Sequence, residues 1–228
     1  MGRREAILAE MGLAPIWRLR RASTTVQDAA TEALAPVESP VRDPARDWTE
    51  LKQLVSGCVK CGLHKTRTQT VFGVGDPSAE WMLIGEAPGA EEDRLGDPFV
   101  GQAGRLLDNM LAAIGLDRRK NVYIANVLKC RPPGNRNPEP EEVAKCSPHL
   151  LRQIELVSPK LIVAMGRFAA QTLLETDASI ASLRGRVHRY AGRPCIVTYH
   201  PAYLLRNLPD KAKAWADLVF ARKTMTSL

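Results

Sequence analysis

Four short apolar runs punctuate the chain: "WMLIG", "VYIANVL", "KLIVAMG" and "PCIVTYH". Each is aliphatic and nearly uninterrupted, the pattern of a strand covered on both faces. Between and after them, apolar positions recur at helical spacing in "AGRLLDNMLAAIGL", "PEEVAKCSPHLLRQIELV", "RFAAQTLLE" and "DKAKAWADLVFARKTM". Gly115 suits the stop of the first helix and Pro140 the first turn of the second, where a missing N–H costs nothing. One more helix is expected over "DWTELKQLVSGC", capped by Asp47. Strands alternating with helices predict an α/β fold, a mainly parallel sheet sandwiched between helix layers.

The four runs stop at Glu86, Asn126, Gly166 and His200. Parallel strands present their C-terminal ends along one edge, and open α/β sheets bind ligands in the crevice beyond it. Residues scattered over more than a hundred positions are therefore expected to meet in one site.

With 228 residues the chain can bury a full core, as one domain with something appended. The appended part reads as residues 1–22, a short amphipathic piece, and residues 23–45, a Pro-, Ser-, Thr- and Ala-rich linker expected to be disordered. The folded domain is expected over 46–228. A net charge of +7 and a pI near 9.3 suit a polyanionic partner. No stretch approaches the roughly 20 apolar residues of a membrane span. Glu5 and Glu10 interrupt any signal-peptide core, and Ala6 breaks the myristoylation pattern, so a cytoplasmic protein is expected.

In a reducing compartment, five cysteines do not read as a disulfide framework. Cys195, inside an apolar run, reads as a buried core thiol. Cys58 and Cys61 form a C-x2-C pair, with Cys130 and Cys146 far downstream. Four such thiolates suit tetrahedral zinc or a [4Fe–4S] cluster, and spacing alone does not choose between them.

The strand-end segments carry the remaining chemistry. In "GEAPGAEEDRLGDPF", Gly85, Pro88 and Gly89 force a tight turn, with Glu86, Glu91, Glu92 and Asp93 beside it. These carboxylates either cap a helix in a solvated loop or line a site. The stretch is acidic and lacks G-x-x-x-x-G-K-[ST], so it is no phosphate loop. Phe99, in a Gly- and Pro-rich loop, is a core plug or a stacking platform. Asn126 interrupts a strand, and a buried amide must be hydrogen-bonded; it ties down a loop or reads a flat amide-like ligand. His200 precedes Pro201, which biases its backbone toward an extended form. "HPAYLLRN" is either the first turn of the last helix or an apolar wedge with a phosphate-gripping arginine.

Taken together, "GEAPGAEED", "DPFVGQAG", "ANVLKCRPPGNRNP" and "HPAYLLR", with the four spaced cysteines, resemble the family 4 uracil-DNA glycosylases from about residue 48 to the C-terminus. The resemblance implies a three-layer α/β/α sandwich on a four-stranded, mainly parallel sheet. It implies an enzyme that flips uracil out of DNA and hydrolyses its N-glycosidic bond. By position, Phe99 would stack on the flipped uracil, and Asn126 would pair with its amide edge. His200 would donate to the oxygen on which charge develops. Glu86 and Glu92 would line the site, ordering water or stabilising the sugar cation. Ala87 stands where other branches of the superfamily carry a water-activating Asp or Asn, so a dissociative reaction is expected. Leu204, Leu205 and Arg206 would probe the duplex, with Leu204 the wedge. The resemblance also favours the [4Fe–4S] cluster over zinc at Cys58, Cys61, Cys130 and Cys146.

Two other classes compete. One sister branch traps uracil-DNA covalently, but its marks are a nucleophilic His in a basic loop and Gln in place of Glu86. Here "RPPGNRNPEPEE" follows Cys130 with no His before His149. A non-enzymatic metal-containing DNA-binding module would explain the cysteines and the charge, but not Phe99, Asn126 and His200 at strand ends. Residues 1–22 lie outside this resemblance. Leu8, Met11, Leu13, Trp17, Leu19 and Arg20 resemble the N-terminal peptide of the clamp-loader psi subunit, which implies docking to the chi subunit or another replication protein. The expected partners are thus uracil-containing DNA and such a protein, with the glycosylase itself a monomer.

Overall fold

The computed structural model describes residues 44–228. Residues 1–22 and nearly all of the 23–45 linker lie outside that range. Helix α1 (Pro44–Ser56) begins ahead of the expected boundary. Asp47 therefore sits in its first turn rather than at its cap, and its carboxylate pairs with Arg152 at 2.6 Å. Proline at the helix start explains the earlier onset.

The chain then runs through β1 (Val74–Gly75), β2 (Trp81–Gly85), α2 (Ala90–Leu95), α3 (Gln102–Ala113), β3 (Val122–Asn126) and α4 (Pro140–Val157). It continues through β4 (Leu161–Met165), α5 (Arg167–Leu174), α6 (Ile180–Leu183), β5 (His188–Tyr190), β6 (Arg193–Thr198), α7 (Pro201–Arg206) and α8 (Lys211–Thr226). The sheet order is β1-β3-β2-β4-β6-β5. The four expected strands form its parallel centre. Two short antiparallel strands, β1 and β5, flank it, so the sheet has six strands and not four. Both additions are two or three residues long, too short for any period to show.

Side chains along a strand alternate between faces. Met82, Ile84, Ala125, Ile162, Ala164 and Val197 point to one core, shared with Leu150, Ile154 and Val157 of α4 and Ala169, Ala170 and Leu173 of α5. Trp81, Leu83, Val122, Ile124, Val163 and Ile196 point to the other, shared with Leu107 and Leu111 of α3 and Ala221 of α8. These are the three expected layers. Cys195 is fully buried in the first core, as its apolar run implied. Among the described residues, no helix is long and apolar enough to cross a membrane.

Candidate active site

Strand register brings Gly85 of β2 level with Asn126 of β3, and Met165 of β4 level with Thr198 of β6. The residues that follow these ends line one cleft of about 730 Å3, which Glu86, Ala87, Glu92, Phe99, Asn126, Gly166, His200 and Arg206 share.

The floor of the cleft is bare backbone. A Cβ on Gly85 would lie 2.4 Å from Asn126 Oδ1 and 2.8 Å from Phe99 Cζ, so only glycine lets these two side chains close over the strand end. Asn126 is buried, and its Oδ1 has no hydrogen-bond partner. Its backbone is fixed from below: the Lys129 ammonium donates to the Asn126 carbonyl at 2.8 Å and to Gln153 Oε1 at 2.6 Å. A rigid, buried acceptor facing a cleft is able to take a ligand N–H, because a buried polar atom is stabilised by a partner.

His200 caps α7. Its Nδ1 accepts the Ala202 backbone N–H at 3.1 Å, so the neutral ring must carry its proton on Nε2. Burial, with a smaller push from the Arg206 charge, lowers its pKa to about 4. The ring is therefore a neutral donor at physiological pH. It stacks on Phe99 with centroids 5.3 Å apart and planes at 30°. Gly166, with φ +95°, makes room for it: a Cβ there would lie 2.9 Å from His200 Cβ. Behind the loop, Arg184 pairs with buried Asp217, which accepts from Thr198 Oγ1, and the guanidinium lies 4.8 Å from the Tyr199 ring centre.

The carboxylates divide. Burial raises the Glu86 pKa above the usual glutamate range, with Arg167 pulling the other way. Glu92 lines the cleft, but both its oxygens are engaged by backbone: Oε2 accepts from Gly89 N–H and Oε1 from Val100 N–H, each at 3.1 Å. These two bonds tie the Glu86 turn to the loop that carries Phe99.

The wedge also moves. Leu204 is 1 % exposed and packs with Tyr199 and Ala214. Leu205 is 38 % exposed, and Arg206 is exposed and lines the cleft. The turn of α7 carries Leu204 inward, out of reach of a base stack, and leaves Leu205 at the surface. Sequence reasoning missed Arg136, Arg167 and Tyr203, which also line the cleft. The position of Arg167 directly after Gly166 at a strand end was the available signal.

Cys58, Cys61, Cys130 and Cys146 line a second, smaller pocket with Lys60, Arg67, Lys129 and Lys145. Among the described residues, no three His, Cys, Asp or Glu side chains are gathered tightly enough to form a metal site as they stand. The donor set nevertheless fits a four-thiolate centre. Arg67 donates to Cys130 Sγ at 3.0 Å, and the Lys129 backbone N–H to Cys146 Sγ at 3.3 Å. Donors and cations of this kind offset thiolate charge.

The model of the uracil DNA glycosylase superfamily matches residues 72–219. A type-4 uracil-DNA glycosylase from Archaeoglobus fulgidus is 51% identical over 159 residues, 66% of this chain and 79% of that one. One from Thermotoga maritima is 46% identical over 170 residues, 72% and 88% of the two chains. A type-5 enzyme from Pyrobaculum aerophilum is 35% identical over 146 residues, 57% and 64%. With that match spanning most of the folded part and the strand ends delivering one cleft, the chain belongs to the uracil DNA glycosylase superfamily and stands with its type-4 members.

Proposed function

We propose that this protein excises uracil from DNA, hydrolysing the N-glycosidic bond and leaving an abasic site. The observation that carries the reading is the unpartnered Asn126 Oδ1, in one cleft with the Phe99 ring and the His200 stacked on it, whose tautomer makes it a donor. Uracil presents an N–H flanked by carbonyls on one flat edge. Asn126 Oδ1 accepts that N–H, its amide donates to the neighbouring carbonyl, and Phe99 covers the ring face.

Reaching such a pocket requires the nucleotide to leave the helix. Leu205 fills the gap in the stack, and Arg206 meets phosphate. The bond between sugar and base then breaks with its electron pair moving onto uracil. His200 Nε2–H donates to the carbonyl oxygen where that charge gathers, a donor already aimed and needing no reorganisation. Ala87 offers no base, so bond cleavage leads and water adds late to the sugar cation, which the Glu86 carboxylate stabilises when ionised.

Cys58, Cys61, Cys130 and Cys146 hold one [4Fe–4S] cluster, whose contribution is structural. The donor chemistry of their pocket suits either centre, and the resemblance to the type-4 enzymes supports the cluster over zinc. Residues 1–22, outside the described range, dock the enzyme to the clamp-loader chi subunit or a similar replication protein, raising its local concentration where uracil enters DNA. Deleting 1–22 should leave excision on naked oligonucleotides unchanged and abolish chi pull-down. Chi binding that survives Trp17→Ala would refute the docking.

One assay tests the central reading. After incubation with a uracil-containing oligonucleotide, alkali should cut the strand at the former uracil. A covalent protein–DNA adduct would indicate a trapping protein, and intact DNA a binding module.

A further inference from the structure

Arg118 lies outside the cleft, in the connection between α3 and β3, yet it reaches the loop that carries Phe99. Its Nη2 donates to the Phe99 carbonyl at 2.9 Å, and its Nη1 to the Pro98 carbonyl at a longer 3.5 Å. Asp108 on α3 holds Nε from the other side. The side chain is only 18% exposed, so the contact is built in and not a passing surface pair.

Phe99 needs holding. Its φ of +56° lies in the left-handed region that a bulky L-residue rarely adopts. The peptide that follows it is gripped at both polar ends. Arg118 binds its oxygen, and the Glu92 carboxylate binds its N–H, which belongs to Val100. The helix α3 presses on the same oxygen, since a Cβ on Gly104 would lie 1.7 Å from it. Held at both ends, that peptide fixes the Phe99 Cα and its left-handed backbone, and with them the point from which the ring reaches over Gly85 and against His200.

We infer that Arg118 is a positioning residue for uracil recognition, holding the Phe99–Val100 peptide so that the Phe99 ring presents its face to the extruded base. This rests on the stacking role given to Phe99 above. No group on Arg118 touches the substrate, and its whole effect passes through one aromatic ring.

That restriction makes a double-mutant cycle decisive. Single-turnover excision and inhibition by free uracil are measured for Phe99→Ala, Arg118→Ala, Arg118→Lys and the Phe99→Ala/Arg118→Ala double variant, with melting temperatures alongside. Arg118→Ala should lose roughly 10- to 100-fold in excision, as small misplacements of reacting groups do, and free uracil should inhibit it more weakly. Arg118→Lys keeps a donor and should recover part of the loss. On the Phe99→Ala background, Arg118→Ala should cost nothing further. Losses that multiply in the double variant, or wild-type excision by Arg118→Ala, would overturn the positioning role while leaving Phe99 in place. Wild-type excision by Phe99→Ala would remove the stacking role itself, and the Arg118 assignment with it. If Arg118→Ala does not fold, Arg118→Lys on both backgrounds carries the same comparison.

Discussion

His200 shows how a local hydrogen bond sets chemistry at the scale of one residue. A histidine capping its own helix accepts through Nδ1, which places the proton on Nε2. Protonation would forfeit that cap, in the same direction as the burial that brings the pKa to about 4. An ordinary histidine begins to charge near 6.5; His200 should stay a neutral donor well below that. Excision should therefore persist below pH 6.5 and fall as pH approaches 4, where a proton on Nδ1 breaks the cap that aims the ring, with Glu86, raised by burial, shaping the same acid limb. Stability follows the same sign. Below pH 6.5 the unfolded chain takes up the proton first, so the contribution of His200 is complete above 6.5 and is lost as pH falls to about 4. Urea titrations at pH 7.5 and pH 5 should show a larger loss for wild type than for His200→Ala. At neutral pH, His200→Ala should slow single-turnover excision by ~10²–10³, the usual cost of one donor to a developing anion. Wild-type excision by that variant would exclude the role. Asn126→Asp sets a carboxylate against a uracil carbonyl, so it should weaken both excision and selectivity for uracil over cytosine, whose amino group stands where that carbonyl does.

Strand ends and short helices decide which of these residues meet. The parallel strands and helices α3, α4, α5 and α8 were legible because each is long enough for its period to show, and their convergence followed from the direction of parallel strands alone. α7 was not legible at the level of its faces. With six residues it makes less than two turns, and adjacent leucines in so short a piece carry no periodic signal about which one is inside. The backbone bonds of Glu92 were illegible for a similar reason, since a carboxylate bound by backbone and one facing solvent look identical in sequence. The separation of Leu204 from Leu205 is measurable. Leu204→Ala should cost about 2–5 kcal/mol in chemical denaturation, the usual range for a buried leucine. Leu205→Ala should leave stability within about 0.5 kcal/mol, yet slow excision from duplex more than from single-stranded DNA, where no stack needs filling. Equal loss on both substrates would remove the wedge. At the end of β2, Gly85→Ala places a methyl 2.4 Å from Asn126 Oδ1, and excision should fall with secondary structure, read by circular dichroism, intact.

Across the whole molecule, the cysteine pocket and the cleft are joined through one short segment. Cys130 follows Asn126 by four positions, and Lys129 between them binds outward in three directions. Its backbone N–H reaches Cys146 Sγ, and its ammonium reaches the Asn126 carbonyl and Gln153 of α4. A change at the thiols should thus disturb the backbone of Asn126, the residue proposed to read uracil, without any electron transfer. This gives a cluster at the four cysteines a mechanical task, to fix the chain between Asn126 and α4. Purified protein should be brown and hold iron with acid-labile sulfide. Cys130→Ser should bleach that colour, lower the melting temperature and weaken uracil excision together, because it loosens the same segment. Cys195 supplies the control: it is buried in the core far along the chain and lines neither pocket, so Cys195→Ala should keep both iron and excision. A colourless, fully active preparation with one zinc per chain would replace the cluster with a zinc site. Full excision by an iron-free Cys130→Ser protein would break the mechanical link itself.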